Sequence, residues 1–142
     1  MKVRITRIHP QARLPQCETS GAAGFDLAAV ADVTVEPGRV ALVPTGLVIK
    51  VPEGMFLGIF ARSSTPVKRG LMVANGVGVI DSDYCGATDE VKIALMNFTD
   101  GPVTVTAGDR IAQGIFLTAP RVEWSETAAV TDGVRGGFGS SG

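Results

Sequence analysis

The stretch Arg39-Val40-Ala41-Leu42-Val43-Pro44-Thr45-Gly46-Leu47-Val48-Ile49-Lys50-Val51-Pro52-Glu53-Gly54-Met55-Phe56-Leu57-Gly58-Ile59-Phe60-Ala61 decides the fold class. Its apolar residues come in short runs rich in Val and Ile, cut by Pro and Gly, and no segment sustains a helical period. That is the pattern of successive β-strands. It predicts strands over Arg39 to Pro44, Gly46 to Val51 and Met55 to Ala61. Working outward, similar runs predict strands over Val3 to Ile8, Val91 to Asn97, Val103 to Val105 and Ile111 to Leu117. Between the runs stand Glu36-Pro37-Gly38, Pro52-Glu53-Gly54, Asp100-Gly101-Pro102 and Ala107-Gly108-Asp109. In these segments Pro presets φ and Gly accepts positive φ, so they read as turns. Many short strands at this spacing suggest an all-β barrel or a two-sheet jelly roll.

A length of 142 residues suits one domain that buries its core without disulfides or a structural metal. We expect a β-rich unit over 1–124. The Gly-, Ser- and Thr-rich segment 125–142, poor in apolar residues, is expected to be a flexible C-terminal arm of the same domain. The formal net charge of −1 gives no electrostatic warrant for a nucleic-acid partner. Cys17 and Cys85 are too few for a disulfide framework or a four-ligand zinc site and are expected to be free thiols. The start, Met1 to Arg7, alternates charged and apolar residues and has no long apolar run. It is expected to be neither signal peptide nor membrane span, in a soluble intracellular protein.

Three segments could carry chemistry. In Arg62-Ser63-Ser64-Thr65-Pro66-Val67-Lys68-Arg69-Gly70, hydroxyls precede a Pro suited to the first helical position and a Gly suited to closing the turn. One or two helical turns fit there, and the surrounding cations could hold an anion; the commoner role of such a segment is a solvated, capped surface turn. In Asn75-Gly76-Val77-Gly78-Val79-Ile80-Asp81-Ser82-Asp83-Tyr84-Cys85-Gly86, an extended chain would put Asp81 and Asp83 on one face. A calcium loop fails there, since Cys85 and Lys92 occupy places that need oxygen ligands. The arm ends Arg135-Gly136-Gly137-Phe138-Gly139-Ser140-Ser141-Gly142, suited to closing over a ligand or to being an ordinary disordered terminus. His9, the sole histidine, lies beside Pro10 and gives little support for a Ser-His-Asp or Cys-His nucleophile, and no phosphate loop closed by Gly-Lys-Ser or Gly-Lys-Thr is present. Residue chemistry alone thus reaches a β protein with anion-binding and paired-carboxylate features, and no substrate.

In order along the chain, five segments resemble the motifs of the trimeric dUTPase family. They are Ala23-Gly24-Phe25-Asp26-Leu27, Arg62-Ser63-Ser64 through Lys68-Arg69-Gly70, Asn75 through Gly86, Gly108-Asp109-Arg110-Ile111-Ala112-Gln113 with Ile115-Phe116, and Gly136 through Gly142. The resemblance implies a jelly-roll-like subunit, a homotrimer with sites between subunits, and Mg2+-dependent attack of water on the α-phosphorus of dUTP. Asp81 then matches the general base, near the sugar 3′-hydroxyl. Asn75, with the backbone around Gly78, matches the reader of uracil. Tyr84 matches the ring beneath the deoxyribose. Arg62, Ser63, Ser64 and Gln113 match the phosphate side, while Arg110 matches either an anchor of structure or a ligand contact. Asp26 matches a carboxylate reaching Mg2+ through water, and Phe138 the ring that stacks on uracil, with Gly139 and Ser140 beside it.

The chain departs from the family pattern at Ala87-Thr88-Asp89, which lengthen the turn before Glu90-Val91-Lys92, and at Thr65-Pro66 in the second motif. In the arm Gly133 stands where the family has Arg and the cation is Arg135, which is the expected γ-phosphate contact from a shifted position. The rival readings are a dCTP deaminase or bifunctional enzyme of the same fold, which would place a Glu at Ala94, and a non-catalytic trimeric binding module.

Overall fold

The computed structural model describes residues 1–131 and 133–137. Among these residues eleven strands and one helix run in the order β1 (Arg4–Arg7), β2 (Phe25–Ala28), β3 (Val33–Val35), β4 (Val40–Pro44), β5 (Leu47–Lys50), β6 (Met55–Ala61), α1 (Ser64–Arg69), β7 (Leu71–Val73), β8 (Gly78–Ile80), β9 (Lys92–Asn97), β10 (Val103–Val105) and β11 (Arg110–Thr118). A four-stranded sheet has the order β2-β11-β6-β8 and a three-stranded sheet the order β4-β9-β7, with β1-β5 and β10-β3 as two further pairs. Every strand pairing is antiparallel, and the fold is all-β and jelly-roll-like.

The alternation expected of half-buried strands is clearest on β9, where Ile93, Leu95 and Asn97 turn inward and Lys92, Ala94 and Met96 turn outward. The core joins Leu27, Val35, Val43, Leu47, Ile49, Leu57, Ile59, Leu71, Ile93, Leu95 and Ile111 from all four sheets. Asn97 is buried with them because its polar groups are all matched. Nδ2 donates to the carbonyls of Val35 and Gly101 at 2.8 Å each, and Oδ1 accepts from the Thr99 amide at 2.8 Å and hydroxyl at 2.7 Å. Among the described residues no helix is long and apolar enough to cross a membrane.

The apolar runs predict β1, β4, β5, β6, β9, β10 and β11 closely, and the structure adds β2, β3, β7 and β8. The 62–70 segment is helical as expected, closed by Gly70 at φ +64°, where a side chain would run into Thr99. Its register differs from the expectation, since Ser64 opens the helix and Pro66 is its third residue. No bond is lost there, because the first-turn amides have no intrahelical acceptor in any case. Past Thr118 the described residues form no strand or helix, and those from Arg121 onward are exposed, including Val122, Trp124, Val130 and Val134.

Candidate active site

The segment between β7 and β8 changes sheets. β7 pairs with β9 and β8 with β6, so the two strands do not pair with each other. A tight turn joins them, with the Gly76 amide on the Val73 carbonyl at 3.0 Å and Gly76 at φ +71°. Asn75 is exposed on this turn, and a Cβ on Gly78 would press on Ile59 Cβ at 3.0 Å, which is why the close approach of β8 to β6 takes glycine.

Beyond β8, Asp81 to Tyr84 form a turn closed by the Tyr84 amide on the Asp81 carbonyl at 3.3 Å. Asp81 and Asp83 therefore do not share one face of a strand as expected of an extended chain, yet both line the same cleft of about 870 Å³ with Lys50, Glu53 and Arg121. On its other flank Asp81 meets a second cleft of about 360 Å³, lined by Leu42, Val79, Tyr84, Glu90 and Lys92. The Tyr84 hydroxyl donates to the Glu90 carbonyl at 3.2 Å, which holds the ring in place. The three extra residues make a separate turn, with the Asp89 amide on the Gly86 carbonyl at 3.1 Å and the Gly86 amide on Asp89 Oδ2 at 2.6 Å.

The other group of residues gathers around α1 and β11. A register shift between Arg110 and Ala112 leaves Ile111 without a cross-strand partner on β2 or β6. Thr65 donates its buried hydroxyl to the free Ile111 carbonyl at 3.0 Å and so docks the helix on the strand. The departure from the family pattern at Thr65 thus anchors the helical turn. Ser63, at the N-cap, makes no side-chain capping bond, and Ser64 lines a cleft of about 320 Å³ with Arg62, Lys68, Arg69 and Arg110. In that cleft Arg69 donates to Asp109 Oδ2 at 2.7 Å. This bond, helped by the Thr106 amide, holds the Asp109 carboxyl below its ordinary value against the opposing pull of desolvation. Gln113 donates to the Ala61 carbonyl at 3.0 Å and lies opposite Asp26 in the β11–β2 ladder.

Asp26 is the hub of an ion-pair cluster. Arg62 Nε stands 2.8 Å from its Oδ1, Arg110 Nη1 stands 3.1 Å from its Oδ2, and Arg110 also pairs with Glu18. Arg62 further donates to the Arg110 carbonyl at 3.1 Å. The Arg110 contact lies off the hydrogen-bond axis, so that Asp26 Oδ2 is buried without a hydrogen-bond partner among the described residues. Arg110 is thereby engaged with two carboxylates. Among the described residues no three His, Cys, Asp or Glu side chains gather as a protein-built metal cage. The unaccepted Asp26 oxygen suits an outer-sphere contact to a hydrated cation better than direct ligation, since two arginines already neutralise the group.

Within one chain the two groups stand apart. Ile80 pairs with Leu57, which puts Asp81 opposite Phe56, while Arg62 follows Ala61 at the other end of β6. At roughly 3.3 Å per residue the two ends are about 20 Å apart. Arg135 is exposed in the arm, and Phe138, Gly139 and Ser140 lie outside the described residues.

The family model for dUTPase matches residues 10–142. The deoxyuridine 5′-triphosphate nucleotidohydrolase of Helicobacter pylori is 40% identical over 144 residues, covering 100% of this chain and 97% of that protein. The enzyme of the same name from Solibacter usitatus is 45% identical over 146 residues, covering 100% and 97%. Among solved structures, the dUTPase of Streptococcus mutans superposes with a TM-score of 0.77 at 34% identity, covering 84% of this chain and 98% of that one. A dUTPase of phage 80alpha superposes with a TM-score of 0.87 at 23% identity, covering 99% and 98%, a likeness of fold.

Proposed function

The chain belongs to the dUTPase family, and from that premise we propose that it hydrolyses dUTP to dUMP and pyrophosphate. Such an activity in the cytoplasm limits uracil in DNA and supplies dUMP for thymidylate synthesis. One observation carries the assignment of the base. Asp81 is exposed and lines both clefts, and among the described residues its carboxylate enters no ion pair or hydrogen bond; Asp83, equally uncommitted, lines only one of them, and Asp26, Asp89 and Asp109 are engaged. A carboxylate held in a turn and left uncommitted is free to take a proton from an attacking water.

In this reading water attacks the α-phosphorus and its proton passes to Asp81. The tight turn carrying Asn75 and Gly78 reads the uracil edge and leaves no room for a 5-methyl group. Tyr84, tied by its hydroxyl to Glu90, packs beneath the deoxyribose and rejects a 2′-hydroxyl. Arg62, Ser63, Ser64 and Gln113 serve the phosphates, with Arg135 reaching the outermost one. Phe138 stacks on the base, a contact worth about 1–3 kcal/mol, with Gly139 and Ser140 closing beside it. When bound, Mg2+ neutralises phosphate charge, and Asp26 fits an outer-sphere role toward it. Residues 125–142 act as the lid over the site and 1–124 as the catalytic body.

The separation of about 20 Å between the ends of β6 supports a homotrimer whose sites form between subunits, because one chain cannot bring Asp81 to its own Arg62 group. The outer face of the β4-β9-β7 sheet, with Val40, Leu42 and Met72 exposed, is apolar surface suited to such burial. Ala94 on that sheet offers only a methyl where a dCTP deaminase would need a carboxylate. The deciding experiment is pyrophosphate release from dUTP with Mg2+ and with a chelator, beside dCTP, dTTP and UTP. Release from dUTP alone, lost on chelation, is expected; no release with Mg2+ present refutes the reading.

A further inference from the structure

We infer that Lys50, which no family motif includes, is a positioning residue for the Asp81–Tyr84 turn, an inference that rests on the proposed role of Asp81. The turn lies on the surface, with Asp81, Asp83 and Tyr84 exposed, and its own backbone closes it with bonds of 3.3 Å at Tyr84 and 2.9 Å at Cys85. Two ties from elsewhere hold it. At its centre Lys50 Nζ donates to the Ser82 carbonyl at 2.7 Å, a short, partly buried, charge-assisted bond spanning 32 positions of sequence. At its far end the Tyr84 hydroxyl donates to the Glu90 carbonyl.

Both ties lead back to β5. Lys50 is its last residue. Glu90 accepts the amide of Gly46, just before β5, on its Oε1 at 2.7 Å, and the next residue, Val91, donates its amide to the Leu47 carbonyl at 2.8 Å. One edge of β5 pairs with β1, and the other therefore forms a platform for the segment that follows β8. The register accounts for the direction that Lys50 takes. Arg4 lies directly opposite Lys50 in the β1–β5 ladder, so like charges would face each other if the ammonium stayed there. Reaching to the Ser82 carbonyl takes the charge away from Arg4 and into the cleft that Asp81 and Asp83 line. Lys50 has no need to touch substrate for this role; it fixes where the Asp81 carboxylate stands.

The test compares wild type, K50M and K50R. In K50M, kcat for dUTP should fall about tenfold, since small misplacement of a catalytic group is costly, while KM stays within about twofold because base and phosphates are held by other residues. K50R keeps a charged donor on a long stem and should retain most of kcat. Hydrogen exchange at the Tyr84 and Cys85 amides should quicken in K50M, with the core strands unchanged. K50M activity within twofold of wild type, equal losses in K50M and K50R, or unaltered exchange at those amides would each overturn the proposal. Absence of dUTP turnover in wild type would instead sink the functional reading, and the exchange comparison would still decide whether Lys50 holds the turn.

Discussion

Replacing Thr65 with Val removes one hydroxyl and keeps the side-chain volume. Thr65 is 2% exposed, and its hydroxyl is matched to the Ile111 carbonyl that the β11 bulge leaves out of the ladder. Val fills the same space, so packing changes little, but the buried carbonyl loses its donor. Leaving such a group unsatisfied costs about 1–3 kcal/mol, which sets an expected loss of about 2 kcal/mol for T65V. T65S keeps the hydroxyl and deletes one methyl, for a loss of about 1 kcal/mol. T65A does both and should lose the most. Urea unfolding at one fixed protein concentration measures the series, the concentration being held because assembly would shift apparent stability. The same change loosens α1, which carries Ser64, so KM for dUTP should rise more than kcat falls. T65V within about 0.5 kcal/mol of wild type would show that the Ile111 carbonyl finds another donor, and the docking account of the helix would fail.

Asp81→Asn should lower turnover by about a hundredfold or more with nucleotide binding retained, and unchanged turnover would remove Asp81 as the base. Deleting Arg135–Gly142 should cripple dUTP hydrolysis and leave the unfolding midpoint in place, as read by kinetics and thermal melts; full activity would refute the lid. Gly70→Ala forces a side chain at φ +64° into Thr99 and should cost about 2 kcal/mol or more in urea melts. Asp109, held below its ordinary value of 3.8 chiefly by Arg69, contributes stability that is complete above that value and is lost as pH falls through the lower folded value. Asp109→Asn should therefore show a flatter acid limb than wild type below about pH 4 in unfolding measured against pH.

The strands written in long Val and Ile runs were legible because burial on one or both faces leaves a compositional trace. β2, β3, β7 and β8 are not, since they stand outside such runs, β2 carries Asp26 and β8 begins at Gly78. Their strand character comes from neighbours, with β2 and β8 each added to an edge of the β11–β6 pair. The residues around Asp81 and Arg62 are recognisable only as ordered motifs, because no local period marks a carboxylate that could serve chemistry. The Asp81–Tyr84 turn leaves no trace in the sequence, where alternation equally permits an extended chain and the closing hydrogen bond is not visible. Thr65 to Ile111 and Lys50 to Ser82 were hidden for a further reason: their acceptors are backbone carbonyls, which every residue has.

The placement of Asp81 and Arg62 at opposite ends of β6 has a genetic consequence. A chain damaged only at Asp81 keeps a sound phosphate end, and a chain damaged only at Gln113 keeps a sound base end. If the proposed homotrimer forms its sites between subunits, two such dead alleles co-assembled in it would rebuild some whole centres and recover activity that neither possesses alone, whereas two lesions at the same end would stay silent together.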